Sequence, residues 1–526
     1  MLSGSCVILF VAGTLCATVP QTTAPDLCRQ GQQLIREGKF QQALEAASQA
    51  LTLDPSSAEA EEVAGTAQFG LGNLPGAQQH MQRALALQPN RVTARRALGA
   101  TFLRERQLKE ARREFETVLR ATPRDYVARV SLGMTYLLDH QPGAALQEFQ
   151  RASELQPDEP AVLLHTLEAY IMLGQEESSE KTLSMLDAKL GPRDPRRGEI
   201  AWMLVKSGAY KLAIREFEML RKTYPDSQEI AYNLALAYHR SGQEAAAANI
   251  LHDMLSRHDD AELESLVGEV RFAMSDPVAG IAAYHRAVEL APQSERFRFD
   301  LAQAMVSQWK LDQAVKLFES GVKDFPNSAN MWLGFGATYY LAGNYLGAAK
   351  ILLQATDTLP DNPAPMQLLG LVYDAAGSLQ TEIQQKFEHY IEKNPRDPWG
   401  LYYYGKMLAS PARANSTRNL ERAQNYLEKA ISLAPRLPEP HLELGIVLEE
   451  CDHSPQALQE LQRAAELNPK SSAAFYHISQ VYRKLGDQQK AQRATTRFEE
   501  LKALERADLD KEQIQLFLAR QKLQVK

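Results

Sequence analysis

Apolar and small residues return along this chain at helical spacing, and the period-two runs of Val, Ile and Thr that mark strands are absent. A longer rhythm overlies the helical one. Pro55, Pro89, Pro123 and Pro157 stand 34 residues apart, as do Pro292, Pro326 and Pro360, and again Pro435 and Pro469. Twelve residues before the proline of a unit stands an alanine: Ala43, Ala77, Ala111, Ala145, Ala213, Ala314, Ala348, Ala423 or Ala457. Twenty-four before it stands a glycine: Gly31, Gly65, Gly99, Gly133, Gly268, Gly336 or Gly445. Small residues at these two places let a pair of helices cross at close range. The proline cannot continue a helix and closes the second one. A further glycine (Gly72, Gly174, Gly208, Gly242, Gly343, Gly377, Gly486) suits the left-handed residue that ends the first helix. Each unit therefore reads as helix, tight turn, helix, loop.

These landmarks resemble the tetratricopeptide repeat (TPR) family. The unit ending at Pro360 carries the resemblance best, with Trp332, Phe335, Gly336, Tyr339, Gly343, Ala348, Ala355 and Pro360 falling on the family pattern in order. Units ending near Gly191 and Asp259 lack the proline but keep Tyr170 with Gly174, and Tyr238 with Gly242. The unit ending at Pro395 is one residue longer, and the next is longer still. The resemblance implies an all-α, right-handed superhelical solenoid of about 14 units over residues 20–504. It also implies protein or peptide partners, bound along the concave groove that first helices line. A general likeness to exported, Ala- and Gln-rich members implies a bacterial envelope or secretion setting.

Length alone would suggest three or four domains, but stacked units need no such division, since each buries its apolar face on its neighbours. The formal charge of −7 is mild for 526 residues, with 58 basic side chains scattered among 65 acidic ones. No basic stripe is present, which argues against a nucleic-acid partner and against attraction of the array to a membrane surface. No charged residue occurs between Met1 and Pro25, and residues 2–19 are almost wholly apolar or small. Residues 1–19 are therefore expected to be a signal peptide, with Ala17 or Thr18 at the cleavage point, and the protein to be exported, periplasmic or secreted. The alternative is an uncleaved N-terminal membrane anchor. Cys6 and Cys16 lie in this segment. Cys28 and Cys451 fall in the first and thirteenth units, too far apart in a linear stack to bridge.

Catalytic and cofactor motifs are missing. The 11 histidines form no HExxH pair, no phosphate loop follows a strand, and no GxSxG elbow occurs. His252, His258, Asp259 and Asp260 are the one local cluster of metal-ligand types, and they read as a solvated helix end. The expectation is a non-catalytic interaction scaffold with no cofactor, no metal and no small-molecule substrate. Its rivals are an array associated with a glycosyltransferase and a cytosolic regulatory adaptor.

Two features bear on where a partner docks. Residues 410–419 lengthen one inter-helix turn and contain the acceptor triplet Asn415-Ser416-Thr417; just before them comes Trp399-Gly400-Leu401-Tyr402-Tyr403-Tyr404, with Tyr403 expected at the small-residue position. Projecting the helical period onto the groove side selects Trp202, Tyr232, Phe272, Phe299, Tyr340, Tyr404, Met407 and Tyr476 in the middle and later units. The same places hold Glu62, Thr66, Thr93 and Ala100 in the early ones. Aromatics on a solvated face point to a recognition surface for apolar peptide side chains. The matched Lys, Arg and Asn set that the family uses to hold acidic C-termini is not found. Residues 505–526, with an apolar stripe through Leu509, Ile514, Leu516 and Phe517, are expected to cap the last unit.

Overall fold

The computed structural model describes residues 23–157, 159–410 and 417–508, among which there are 28 α-helices and no strand. The expected signal segment, the centre of the 410–419 insertion and most of the expected cap lie outside the described residues. The chain divides into two compact units after Gly242. In the first, helices α1 (Ala24–Arg36), α2 (Phe40–Leu53), α3 (Ala58–Gly70), α4 (Leu74–Leu87), α5 (Val92–Arg104) and α6 (Leu108–Ala121) form three pairs. They are followed by α7 (Tyr126–Leu138), α8 (Pro142–Leu155), α9 (Pro160–Met172), α10 (Glu176–Lys189), α11 (Arg196–Lys206), α12 (Tyr210–Thr223) and α13 (Gln228–Arg240).

The second unit opens with α14 (Glu244–Leu255), α15 (Ala261–Ala273), α16 (Pro277–Leu290), α17 (Glu295–Ser307), α18 (Leu311–Asp324), α19 (Ala329–Leu341) and α20 (Tyr345–Thr358). It continues with α21 (Ala364–Val372), α22 (Gln380–Lys393), α23 (Pro398–Ala409), α24 (Thr417–Leu433), α25 (Pro438–Glu450), α26 (Ser454–Leu467), α27 (Ser472–Lys484) and α28 (Gln488–Asp508). Twenty-eight helices match the expected 14 repeats, and the all-α tetratricopeptide architecture is as the period implied.

The loop between repeats is a stop and a start set side by side. Helix α2 ends at Leu53, Asp54 caps it, and Pro55 forbids a further turn. Two residues on, the Ser57 hydroxyl accepts the Ala60 N–H at 3.2 Å and opens α3. Pro-x-Asp or Pro-x-Ser repeats this device before α7, α13, α17, α19, α23 and α27, at Asp125, Ser227, Ser294, Ser328, Asp397 and Ser471.

Within a pair, the small residue of the first helix is a socket for a large one of the second. A methyl group added to Gly99 would lie 2.8 Å from the Phe115 ring, one on Gly268 2.7 Å from Tyr284, and one on Gly336 2.7 Å from Leu352. The alanines twelve residues before each proline are all fully buried. The turn that follows needs a left-handed residue: Gly343 sits at φ +72°, and Arg106, His140, Ser275, Trp309 and Asp452 take the same place with side chains attached.

A further tie joins several repeats to the loop before them. Four residues into the first helix, a side-chain donor reaches the carbonyl six residues back: Arg95 Nη2 to Pro89 at 3.0 Å, Arg298 Nη2 to Pro292 at 2.9 Å, and Trp332 Nε1 to Pro326 at 2.8 Å. These bonds satisfy carbonyls that the terminated helix leaves without an internal donor. The same residues reach sideways to the second helix, as Arg95 does to Glu114 and Arg129 to Glu148, each at 2.8 Å.

The repeat of α23 and α24 corrects one expectation. Gly405, not Tyr403, fills the small-residue position, where an added methyl would lie 2.9 Å from Leu427. The Tyr403 ring instead covers Gly370 of α21. Gly405 stands eight residues after the cap Asp397, as Gly133 does after Asp125. In the preceding repeat the usual turn is replaced by two 3₁₀ turns, Tyr373–Ala375 and Gly377–Leu379.

One ionic group lies wholly inside the first unit. Arg197 Nη1 faces Asp187 at 2.8 Å and Glu216 at 3.0 Å, and its Nη2 donates to the Leu190 carbonyl at 2.8 Å. Glu216 is fully buried and its Oε1 has no partner. Burial, then the charge of Asp187, push its carboxyl up to about 7 against the pull of Arg197.

Two outcomes follow from this packing. Gly336→Leu should overfill the crossing with Leu352 and cost about 1–3 kcal/mol. Protection from hydrogen exchange should fall in α19, α20 and their neighbours only; an even loss over the chain would contradict nearest-neighbour packing. For Glu216, a raised folded pKa means the native state holds the proton more tightly. Its contribution is therefore present below about 4.5 and lost as pH climbs to about 7. Glu216→Gln should melt progressively higher than the parent as pH rises from 5 to 8, by a margin of order 1–3 kcal/mol; a pH-independent gap would show that the carboxyl titrates normally.

Candidate partner-binding surface

First helices touch one another along each unit: α3, α5, α7 and α9 in succession in the first, and α17, α19, α21, α23, α25 and α27 in the second. Side chains on the sides of these helices turned from their own second helices thus form one wall per unit. Tyr476 on α27 stands out from the wall of the second unit, 41% exposed, and Trp202 is 45% exposed on the first helix α11. The Lys206 ammonium lies 6.0 Å over the indole of Trp202, and Tyr476 leans on Phe498 with ring centres 5.4 Å apart. Tyr232 is half-buried on α13.

Three more of the expected residues are half-buried and turn partly inward. Phe272 packs on Tyr284 at 5.9 Å and covers Gly280, Phe299 packs edge-on against Phe318 at 6.0 Å, and Tyr340 meets Tyr345 at 5.2 Å. Tyr404 and Met407 do not belong to the surface at all. Both are buried in the core of their repeat, Tyr404 against Tyr426 of the second helix with ring centres 5.0 Å apart. The Tyr404 hydroxyl donates to Glu388 at 2.9 Å and accepts from Arg422 at 3.0 Å. Burial, followed by the bond to Glu388, pushes that hydroxyl up to about 12. Trp202 and Tyr232 lie in the first unit and the other six residues in the second.

In the corrected register the wall position of α23 belongs to Trp399, Tyr402 and Lys406. Trp399, Tyr402 and Tyr403 form a three-ring cluster with centres 4.8–5.9 Å apart. Facing it from α25 are Glu439 and Glu443, one helical turn apart. Lys406 pairs with Asp374 at 3.0 Å rather than with either glutamate. Glu439 Oε2 is buried without a hydrogen-bond partner. Glu443 is half-buried as a residue, but its carboxyl is closely enclosed, and burial pushes it up to about 7 despite nearby Lys406. Burial, then the charge of Glu443, lift the Tyr402 hydroxyl well above its ordinary value. Sequence reading missed both carboxylates; the Asp397-Pro398 start signal would have put them opposite the aromatic wall.

The early repeats differ, as expected. Glu62 is paired with Arg91, and the Thr66 hydroxyl turns back to the Glu62 carbonyl at 2.8 Å. At the His252–Asp260 helix end, Asp260 caps α15 through the Glu262 and Leu263 N–H groups at 2.9 and 3.1 Å, and Asp259 pairs with Arg286. Among the described residues no group of three or more His, Cys, Asp or Glu side chains is placed to hold a metal ion.

Family models described as tetratricopeptide repeat match residues 28–92, 62–126 and 96–160, then 204–270 and 271–337, and finally 415–437. Together they take in more than half of the sequence, and the chain belongs to the tetratricopeptide repeat family. Among curated proteins it is similar to mouse Protein O-mannosyl-transferase TMTC3, 25% identical over 186 residues, covering 33% of this chain and 20% of that protein. It is also similar to the Anaphase-promoting complex subunit CDC16 of Saccharomyces cerevisiae, 26% identical over 215 residues, 39% of this chain and 25% of the other. The chain thus spans a fifth to a quarter of the length of these relatives. Similar solved structures include Naa15/Naa10 bound to HypK-THB, at 12% identity, TM-score 0.37, and 91% and 94% coverage of the two chains. Yeast Tom70 matches at 20% identity, TM-score 0.35, and 82% and 96% coverage.

Proposed function

We propose that this protein is a non-catalytic scaffold that binds a protein or peptide partner along the wall of its first helices. The observation that carries this reading is the pair of large aromatic side chains, Trp202 and Tyr476, left open on first-helix faces of a family built for protein interaction. Half-buried Tyr232, Phe299 and Tyr340 supply further apolar contact on the same kind of face. Rings of this size give much contact area for little lost side-chain freedom, and a few such anchors dominate most interfaces. Trp202→Ala and Tyr476→Ala, made separately, should each weaken capture of a partner by about tenfold while leaving helical content and melting unchanged. Normal capture by both variants would remove the wall from the interaction.

Export is part of the proposal and rests on the uncharged, apolar start of the chain. The mature protein should begin after residue 17 or 18 when its N-terminus is sequenced; retention of Met1 with no membrane attachment would refute it. A second reading, an array working beside a glycosyltransferase, is favoured by the similarity to TMTC3, of which a fifth is matched. The captured material separates the two, since only the second requires a transferase in it.

A further inference from the structure

The wall of the second unit carries an electrostatic imbalance beside its aromatic cluster. Asp374 and, on α25, Glu439 and Glu443 face the Tyr402 hydroxyl, and Asp374 and Glu450 crowd Glu443 against Lys406 on α23 and His477 on α27. Most of the cations are already engaged. Lys406 is held by Asp374 at 3.0 Å, His477 by Glu449 at 2.8 Å, and Lys484 by the Glu449 carbonyl at 2.9 Å. Glu439 and Glu443 are left without an ion pair, although one Glu439 oxygen is buried and the Glu443 carboxyl is closely enclosed. Two like charges one turn apart on a helix repel each other, and an enclosed carboxylate without a counter-charge is costly. Such a pair is stabilised by a cation that arrives from outside.

We infer that this wall binds a basic peptide segment, with a Lys or Arg side chain lying against Trp399 and pairing with Glu439 and Glu443. The aromatic face attracts the cation and covers its aliphatic stem, and the two carboxylates fix its head. The inference rests on the groove reading above and adds the charge of the ligand to it. Binding draws the Glu443 proton off, so the affinity for basic peptide falls as pH drops from 8 to 6. The groups that face Glu443 during this titration are Asp374, Lys406, His477, Glu439 and Glu450.

The test uses the full chain and an array of decapeptides in which Arg, Gln or Glu occupies alternate positions among Ala, Leu and Tyr. Basic peptides should bind at least about tenfold more tightly than their Gln counterparts, and acidic ones should not bind. Glu439→Gln combined with Glu443→Gln should bring basic and neutral peptides to within about twofold of each other, with melting equal to or above the parent. Glu443→Lys should move the preference toward acidic peptides, which a merely structural glutamate would not do. Equal binding of basic and neutral peptides by the parent, with Tyr476→Ala still weakening both, would overturn the charge preference and leave the groove reading standing. Absence of binding by every peptide would overturn both.

Discussion

A large side chain of the second helix seated on a glycine of the first, repeated along the chain, sets the geometry of much else. Phe115 on Gly99, Tyr284 on Gly268, Leu352 on Gly336 and Leu461 on Gly445 are one contact made repeatedly. It fixes how near the two helices come and therefore which sides of the first helix are spent on packing. What remains of that helix faces its counterparts in neighbouring repeats and the solvent. The proposed recognition surface is thus what the packing of each pair leaves over.

Most of the fold was legible because this contact leaves a trace in the sequence. Small residues, a terminating proline and a turn glycine at fixed offsets can be read without coordinates, and the helix boundaries follow the Pro-x-Ser and Pro-x-Asp signals closely. The candidate surface was legible only where the register was. Trp202 and Tyr476 were placed correctly because their repeats keep the period. Tyr404 and Met407 were not: both lie in the core, and Tyr404 turns toward Tyr426 and Arg422 of its own second helix. The buried groups were beyond reach for a different reason. Nothing in the order of residues says that Arg197, Asp187 and Glu216 converge, or that Glu443 faces an aromatic wall across two helices, because those meetings depend on the pitch of the stack.

The two units use charge differently. In the first, a guanidinium inside the stack is shared by two carboxylates and a pair of backbone carbonyls, which ties a repeat whose preceding loop lacks the usual proline. The bridge from Arg197 to the Gly191 carbonyl holds the place that Trp332 holds at Pro326. In the second unit, Glu439 and Glu443 of α25 are half-buried beside rings, with the nearby cations engaged elsewhere. The same residue types act as a latch in one setting and as an open acceptor in the other.

Among the described residues, five turns carry a left-handed side-chain-bearing residue where eight others carry glycine: Arg106, His140, Ser275, Trp309 and Asp452. Each holds a left-handed backbone at a cost of roughly 1–2 kcal/mol. Because repeats lean only on their neighbours, that strain is not averaged over the array but stays where it arises. The array is therefore graded along its length, with seams of unequal strength between the two helices of near-identical repeats. Transient parting would begin at these seams, and a protease sampling the folded protein would find them before it found any helix.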